Sequence, residues 1–263
     1  MRFSKYHGCG NDFLMCLEKP NQPESFAIEY CDRHMGIGAD GVMWIEKSNH
    51  ADIKMKYINS DGSPAKMCGN GLRCFVRFAL DEKIINKHEF IVETDAGNIA
   101  VKFDEKTKWI DLSLMLPRSL NDTETLCPGD IIDWNYENTS LKIHTLHLGT
   151  LQAVVFVDNY TEIEKLGPMI TSDECFPQDI NVNFVKIHSK EKIEVRTHER
   201  GAGWTLACGT GISASAYVAI KQQLVSSHVH VVAPGGSCEV TLAKDCIHLF
   251  GPAKKIADIV IGD

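Results

Sequence analysis

Two segments of this chain share one pattern, Met67-Cys68-Gly69-Asn70-Gly71 and Ala207-Cys208-Gly209-Thr210-Gly211. Each is Cys-Gly-x-Gly, and each leads into a stretch with helical periodicity. The first, 70–81, carries Leu72, Phe75, Val76 and Leu80; the second, 210–223, carries Ile212, Ala216, Val218, Ala219 and Ile220. Both helices are apolar over most of their surface, so each must be enclosed by other structure. Strand-like alternation recurs over 52–59, 90–94, 98–103, 109–114, 141–148, 191–198, 237–242 and 245–250. Many short strands with one enclosed helix per half read as an α+β fold. The expectation is two pseudo-symmetric lobes, each a curved, mostly antiparallel sheet wrapped around a central buried helix.

Two shorter helices are expected. Residues 23–34 begin with a proline and are followed by Gly36, a start and stop pair. Residues 161–166 form a short helix ended by Gly167-Pro168. The seam between halves falls near Leu116-Pro117-Arg118, giving lobes of 1–116 and 117–251, and 121–130 reads as a polar loop. A net charge of -8 with no lysine/arginine run argues against nucleic acid as a partner. No apolar run is long enough to span a bilayer, and the start alternates like a strand rather than like a signal peptide. The chain therefore reads as soluble and cytoplasmic. Its ten cysteines are expected to be mostly reduced and buried, with Cys16, Cys31 and Cys246 packing as small hydrophobes. No Cys-x2-Cys pair is present and the histidines are scattered, so no metal site is expected.

The chemistry is concentrated in the two cysteine loops. A thiol at a helix start is easier to ionise, because the helix dipole and the unpaired N–H groups favour negative charge. The glycines let backbone approach a ligand closely, and the N–H groups make an anion site suited to an amino acid's α-carboxylate. If both loops converge on one carboxylate, the two sulfurs flank Cα. One removes a proton and the other delivers one to the far face, with no cofactor. No lysine stands in a motif for a pyridoxal Schiff base. The competing readings are a buried thiol in a tight turn, a redox pair, a carboxylate-binding module without turnover, and a metabolite isomerase using one thiol. His7, His34 and His198 are read as structural or surface groups.

A longer set of residues has a family likeness. Lys5-Tyr6-His7-Gly8-Cys9-Gly10-Asn11-Asp12-Phe13, Gly36-Ile37-Gly38-Ala39-Asp40, Asn59-Ser60-Asp61-Gly62-Ser63, Asn181-Val182-Asn183-Phe184 and Glu199-Arg200-Gly201-Ala202-Gly203, together with the two cysteine loops, resemble the diaminopimelate epimerases along the whole chain. The resemblance implies an active site in a cleft between two like lobes, a C-terminal strand (about 252–263) that returns to the first lobe, and a homodimer. It implies a pyridoxal-independent two-base reaction converting LL- to meso-diaminopimelate for lysine and cell-wall synthesis. Carried over by position, Cys68 and Cys208 resemble the catalytic pair. Gly69, Asn70, Gly209 and Thr210 resemble the residues holding the reacting carboxylate, and Asn11 a substrate contact at the reacting end. Asn59, Asn181, Glu199 and Arg200 resemble the group that reads the distal amino and carboxylate groups.

The chain also departs from the family pattern. Gly149-Thr150-Leu151-Gln152 stands where the family usually has Gly-Asn-Pro-His, and Trp204 where glutamate is frequent. Thr150, Gln152 and Trp204 are therefore the candidates for setting specificity. A racemase of the same fold for another amino acid, such as histidine, is the alternative they raise.

Overall fold

A computed structural model describes residues 1–120, 129–137, 139–176 and 178–262. Its first elements are β1 (Arg2–Gly8), β2 (Asn11–Cys16), α1 (Pro23–Cys31), β3 (Gly41–Glu46), β4 (Ile53–Asn59), α2 (Gly69–Asp81), β5 (Glu89–Thr94), β6 (Gly97–Phe103) and β7 (Trp109–Met115). There follow β8 (Ile131–Tyr136), β9 (Thr139–Leu148), β10 (Thr150–Phe156), α3 (Ile163–Thr171), β11 (Asn181–Ser189), β12 (Lys192–Glu199), β13 (Gly203–Thr205) and α4 (Gly209–Lys221). The last are β14 (His228–Ala233), β15 (Gly236–Leu242), β16 (Cys246–Pro252) and β17 (Lys254–Val260). The chain divides into two compact units, Met1–Leu114 with Phe250–Asp263, and Met115–Leu249. Most of the loop expected at 121–130 lies outside the described residues.

The two units repeat one strand order. In the first, neighbours run β17, β1, β2, β3, β4, β5, β6, β7; only β2–β3 and β4–β5 are parallel. In the second they run β8, β9, β10, β11, β12, β14, β15; only β10–β11 and β12–β14 are parallel. A parallel pair needs a long crossover, and each of the four crossovers carries a helix. Thus α2 and α4 occupy equivalent places. α2 packs against β1, β2 and β17, burying Leu72, Cys74, Phe75, Val76 and Phe78; α4 packs against β10, β11 and β12, burying Ile212, Ala214, Ala216 and Ala219. This is the α+β duplication that the two cysteine motifs announce.

Two helix ends differ from expectation. The first helix stops at Cys31, short of His34, because Asp32 turns extended (φ -56, ψ 129) and its carboxylate accepts the N–H groups of His34 and Met35 at 2.7 and 2.6 Å. The helix expected to end before Gly167-Pro168 instead runs as α3 from Ile163 to Thr171, through both residues. Gly167 gives the Trp204 indole room to lie against the helix, and Pro168 stands in the second turn, where it leaves one carbonyl of the exposed Glu164 without a helical partner.

Candidate active site

In the first unit, Cys68 is the N-cap of α2, extended at φ -138 and ψ 124. Its carbonyl accepts from Leu72 N–H at 2.7 Å, which starts the helix, and its Sγ accepts from Gly71 N–H at 3.5 Å. The thiol donates to Asn11 Oδ1, also at 3.5 Å. Asn11 Nδ2 donates to Asp40 Oδ2, and that contact sets the amide with its oxygen toward the sulfur. Asp40 is fixed in turn: the Asp12 backbone N–H reaches it at 2.9 Å and Arg33 at 2.8 Å. Arg33 and Lys5 also pair with the buried Asp12, at 2.7 and 2.9 Å. Burial alone would raise the Asp12 carboxyl, but hydrogen bonds from Arg33 and Lys5 outweigh it and hold it below the usual carboxylate range.

Beneath the α2 start lies Arg73, fully buried, donating to Asn70 Oδ1 at 2.7 Å and to Pro252 O at 3.2 Å. A buried guanidinium one turn from the Gly69 and Asn70 N–H groups adds to their preference for an anion. Burial pushes the thiols of Cys16 and Cys31 up to about 12, which suits inert packing residues. Asn59 lies at the end of β4 opposite Gly41, with its side-chain amide on Ser63 Oγ at 3.0 Å.

In the second unit, Cys208 is the N-cap of α4, extended at φ -110 and ψ 114, with its carbonyl accepting Ile212 N–H at 2.8 Å. The surroundings of the sulfur differ from those of Cys68. Cys208 is 7% exposed; its sulfur lies 3.4 Å from Thr210 Oγ1, and the negative charge of Glu199 from β12 acts on it. Burial, and then the negative charge of Glu199, push it well above the ordinary thiol value; the Thr210 hydroxyl, 3.4 Å from the sulfur, pulls the other way. Glu199 is held by Thr205 Oγ1 at 2.6 Å, brought alongside by the β12–β13 pairing. The carboxylate that the resemblance assigns to the distal end of a substrate lies near enough to this thiol to act on it.

The remaining predicted residues of this unit form one polar network. Gln152, fully buried, donates to Thr150 Oγ1 at 2.8 Å and to Thr210 Oγ1 at 3.1 Å. Asn181 donates to Thr150 Oγ1 at 3.3 Å and accepts the Arg200 backbone N–H at 3.0 Å. The exposed Arg200 guanidinium donates to Gln178 O at 3.2 Å. Trp204 is elsewhere: its indole packs against Phe184 (centroids 5.9 Å), His198 (5.3 Å) and Gly167, on the core formed by Leu151, Val155, Ile163 and Leu166. His198 is committed to Thr171 Oγ1 at 2.7 Å, and burial lowers its pKa.

Four polar residues at these sites are given no role in the sequence argument: Asp40, Arg73, Asn183 and Thr205. Asn183 was within reach, since strand alternation puts it on the same face as Asn181. Among the described residues, no group of three or more His, Cys, Asp or Glu is placed to hold a metal ion, and no helix is long and apolar enough to cross a membrane.

The family model for diaminopimelate epimerase matches residues 3–116 and 145–256. A diaminopimelate epimerase of Clostridium perfringens is 38% identical over 98% of this chain and 98% of its own length. One of Alkaliphilus metalliredigens is 37% identical, covering 97% of this chain and 95% of its own length. The chain belongs to the diaminopimelate epimerase family. Among solved structures, a phenazine biosynthesis protein of the PhzF family from Bacillus anthracis superposes with a TM-score of 0.75 at 15% identity, covering 99% of both chains. A hydroxyproline epimerase from Agrobacterium vitis gives 0.67 at 13% identity, over 98% of this chain and 90% of its own. These two likenesses concern the fold.

Proposed function

We propose that this member of the family is a cofactor-independent amino-acid epimerase whose Cys68 and Cys208 are the base and acid of a two-sided proton transfer at Cα, with diaminopimelate as substrate. The chain is an isomerase by family. The observation that carries the mechanism is the repeated geometry: each sulfur is the N-cap of a buried helix, beside first-turn N–H groups that no helix carbonyl can satisfy. The α-carboxylate binds to those of Gly69, Asn70, Gly209 and Thr210. One sulfur, as thiolate, takes the α-proton; charge flows onto the carboxylate, where the N–H groups stabilise it, and the other thiol protonates the opposite face. Burial and Glu199 hold Cys208 protonated, which suits it to be the donor at rest and leaves removal to Cys68. Asn11 contacts the substrate at the reacting end; Asn59, Asn181, Glu199 and Arg200 read its distal groups. A cytoplasmic homodimer is part of the same reading, checked by light scattering on the purified protein.

A second substrate is favoured by one observation. Gln152 is spent inside the protein, so Thr150 is the nearer candidate for reading a distal group. That leaves a racemase for another amino acid, histidine among them, as the competing reading. The deciding experiment is α-proton exchange in deuterated water, followed by NMR over the diaminopimelate isomers and a panel of amino acids including histidine. Exchange into LL- and meso-diaminopimelate above all others supports the first reading; preference for histidine replaces it, and no exchange in any compound removes both.

A further inference from the structure

The departure from the family pattern at Gln152 has a structural role that follows from hydrogen-bond polarity. The direction of its network is fixed at a backbone carbonyl. Ala153 O accepts from Asn183 Nδ2 at 3.0 Å, so that nitrogen, and not the oxygen, faces this side. The same nitrogen donates to Gln152 Oε1 at 2.9 Å, while Asn183 Oδ1 accepts from Thr197 Oγ1 at 2.8 Å. Gln152 Oε1 is therefore the acceptor, and its amide nitrogen must point to the two hydroxyls, Thr150 at 2.8 Å and Thr210 at 3.1 Å. Both amide protons are used. Thr210 Oγ1 accepts from Gln152, so its own proton is turned to its other neighbour, Cys208 Sγ, at 3.4 Å.

We propose that Gln152 is a positioning residue that fixes the Thr210 hydroxyl as a hydrogen-bond donor to Cys208 Sγ. The donation holds in both protonation states of the sulfur and is worth more to the thiolate, since hydrogen bonds to charged groups are the stronger ones. It opposes the negative charge of Glu199, which disfavours the thiolate. Glu199, from β12, is the charged group that acts on this sulfur; β10 and β11 contribute the neutral side chains of Gln152 and Asn183. Gln152 thus acts on the reaction through Thr210, and a buried amide does here what its family position would not suggest. The catalytic part of the inference rests on the epimerase reading; the chemical part, the state of Cys208, does not.

Two readouts test it. In a Cys68→Ala background, alkylation of Cys208 by iodoacetamide against pH needs no substrate. Gln152→Glu keeps the shape but supplies only acceptors, so Thr210 turns its proton to residue 152. The alkylation profile should move alkaline by about one pH unit, with part of the shift due to the new charge. Gln152→Leu carries no charge and isolates the hydroxyl: it should slow Cys208 alkylation at fixed pH about threefold. With both thiols present, Gln152→Leu and Thr210→Val should each lower kcat about tenfold with KM within twofold, and the double variant should be no slower than the slower single. Gln152→His, whose ring N–H can donate to Thr210, should recover most of the loss. Thermal melts by circular dichroism confirm that each variant is folded. Unchanged alkylation in folded Gln152→Leu overturns the proposal, as does additivity in the double variant. A change in KM alone would make Gln152 a substrate reader. Absence of α-proton exchange with any amino acid would remove the epimerase reading while leaving the alkylation result standing.

Discussion

Cys68 and Cys208 occupy one position in a repeated topology, yet their sulfurs face opposite chemistry. Both are extended N-caps with their carbonyls starting a buried helix. A side chain three positions after each cysteine would collide with the floor below, which at Gly71 is apolar, Met43 and Phe13, and at Gly211 is the Asn183 amide. The Cys68 thiol donates to a neutral amide oxygen, that of Asn11, whereas the Cys208 thiol is enclosed beside a carboxylate. Even the devices that set polarity differ: an ion cluster of Asp40, Arg33, Asp12 and Lys5 orients Asn11, and a chain of neutral groups orients Thr210. Duplication supplies two equivalent sulfurs at helix starts. Divergence of what lies under and beside them gives the two sulfurs different electrostatic surroundings.

The comparison breaks most directly at the sulfurs themselves. Cys68→Ala and Cys208→Ala should each lower kcat by about 10³–10⁴, the scale of a lost general acid or base. Steady-state polarimetry checks it, and near-normal turnover in either variant would end the two-base reading. Next in size is the support for the two helix starts. Phe75 is fully buried under α2 and its replacement by Ala should cost about 3–5 kcal/mol; Ile212→Ala under α4 should cost about 2–5 kcal/mol, both read by urea denaturation. A cost near zero at one of them would show that the two helices do not carry equal structural weight.

How far this asymmetry was legible in the sequence depends on which physical signal each part leaves. The two helices and the strands with one polar face, such as β6 (burial alternating along Ile99 and Val101) and β12 (Ile193, Val195), announce themselves by periodicity. By contrast β2 and β10 are buried on both faces, Asp12–Cys16 and Leu151–Val155 without a break, and carry no alternation to read. The cysteines and their loops could be placed because helix-start chemistry is local. The action of Glu199 on Cys208 could not: its carboxylate is held in place by Thr205 through the β12–β13 pairing, which no spacing in the chain records. Trp204 is the converse, an aromatic at a suggestive position that the β12–β13 hairpin turns onto Phe184 and Gly167. Proline rules misplaced the end of α3, because a proline in the second turn costs little when the carbonyl it leaves is near water.

The electrostatic half of the comparison is sharpened by Glu199→Gln. In a Cys68→Ala background, neutralising the carboxylate removes the second cause of the raised Cys208 thiol and leaves the first, burial. Cys208 alkylation should become about tenfold faster at fixed neutral pH. An unchanged rate would mean that burial alone distinguishes this sulfur from Cys68.

The smallest effect is expected at the ion cluster on the Cys68 side. Asp12 titrates below the usual carboxylate range in the folded protein, so its ionised form stabilises the fold. That stabilisation is complete above the unfolded carboxyl value of about 3.9 and fades as pH falls through the lower folded value. The partner Arg33 side chain is 53% exposed, so screening discounts the pair to about 1 kcal/mol. Asp12→Asn should therefore lower stability by that amount at pH 7, with the gap to wild type narrowing as pH falls below about 4. The Asp40–Asn11 contact survives this substitution, since the Asp12 backbone N–H still reaches Asp40. Kcat should consequently fall far less in Asp12→Asn than in Asp40→Ala, which removes the acceptor that orients Asn11. Equal losses in the two variants would show that the cluster sets the Cys68 side by its net charge and not by the orientation of one amide.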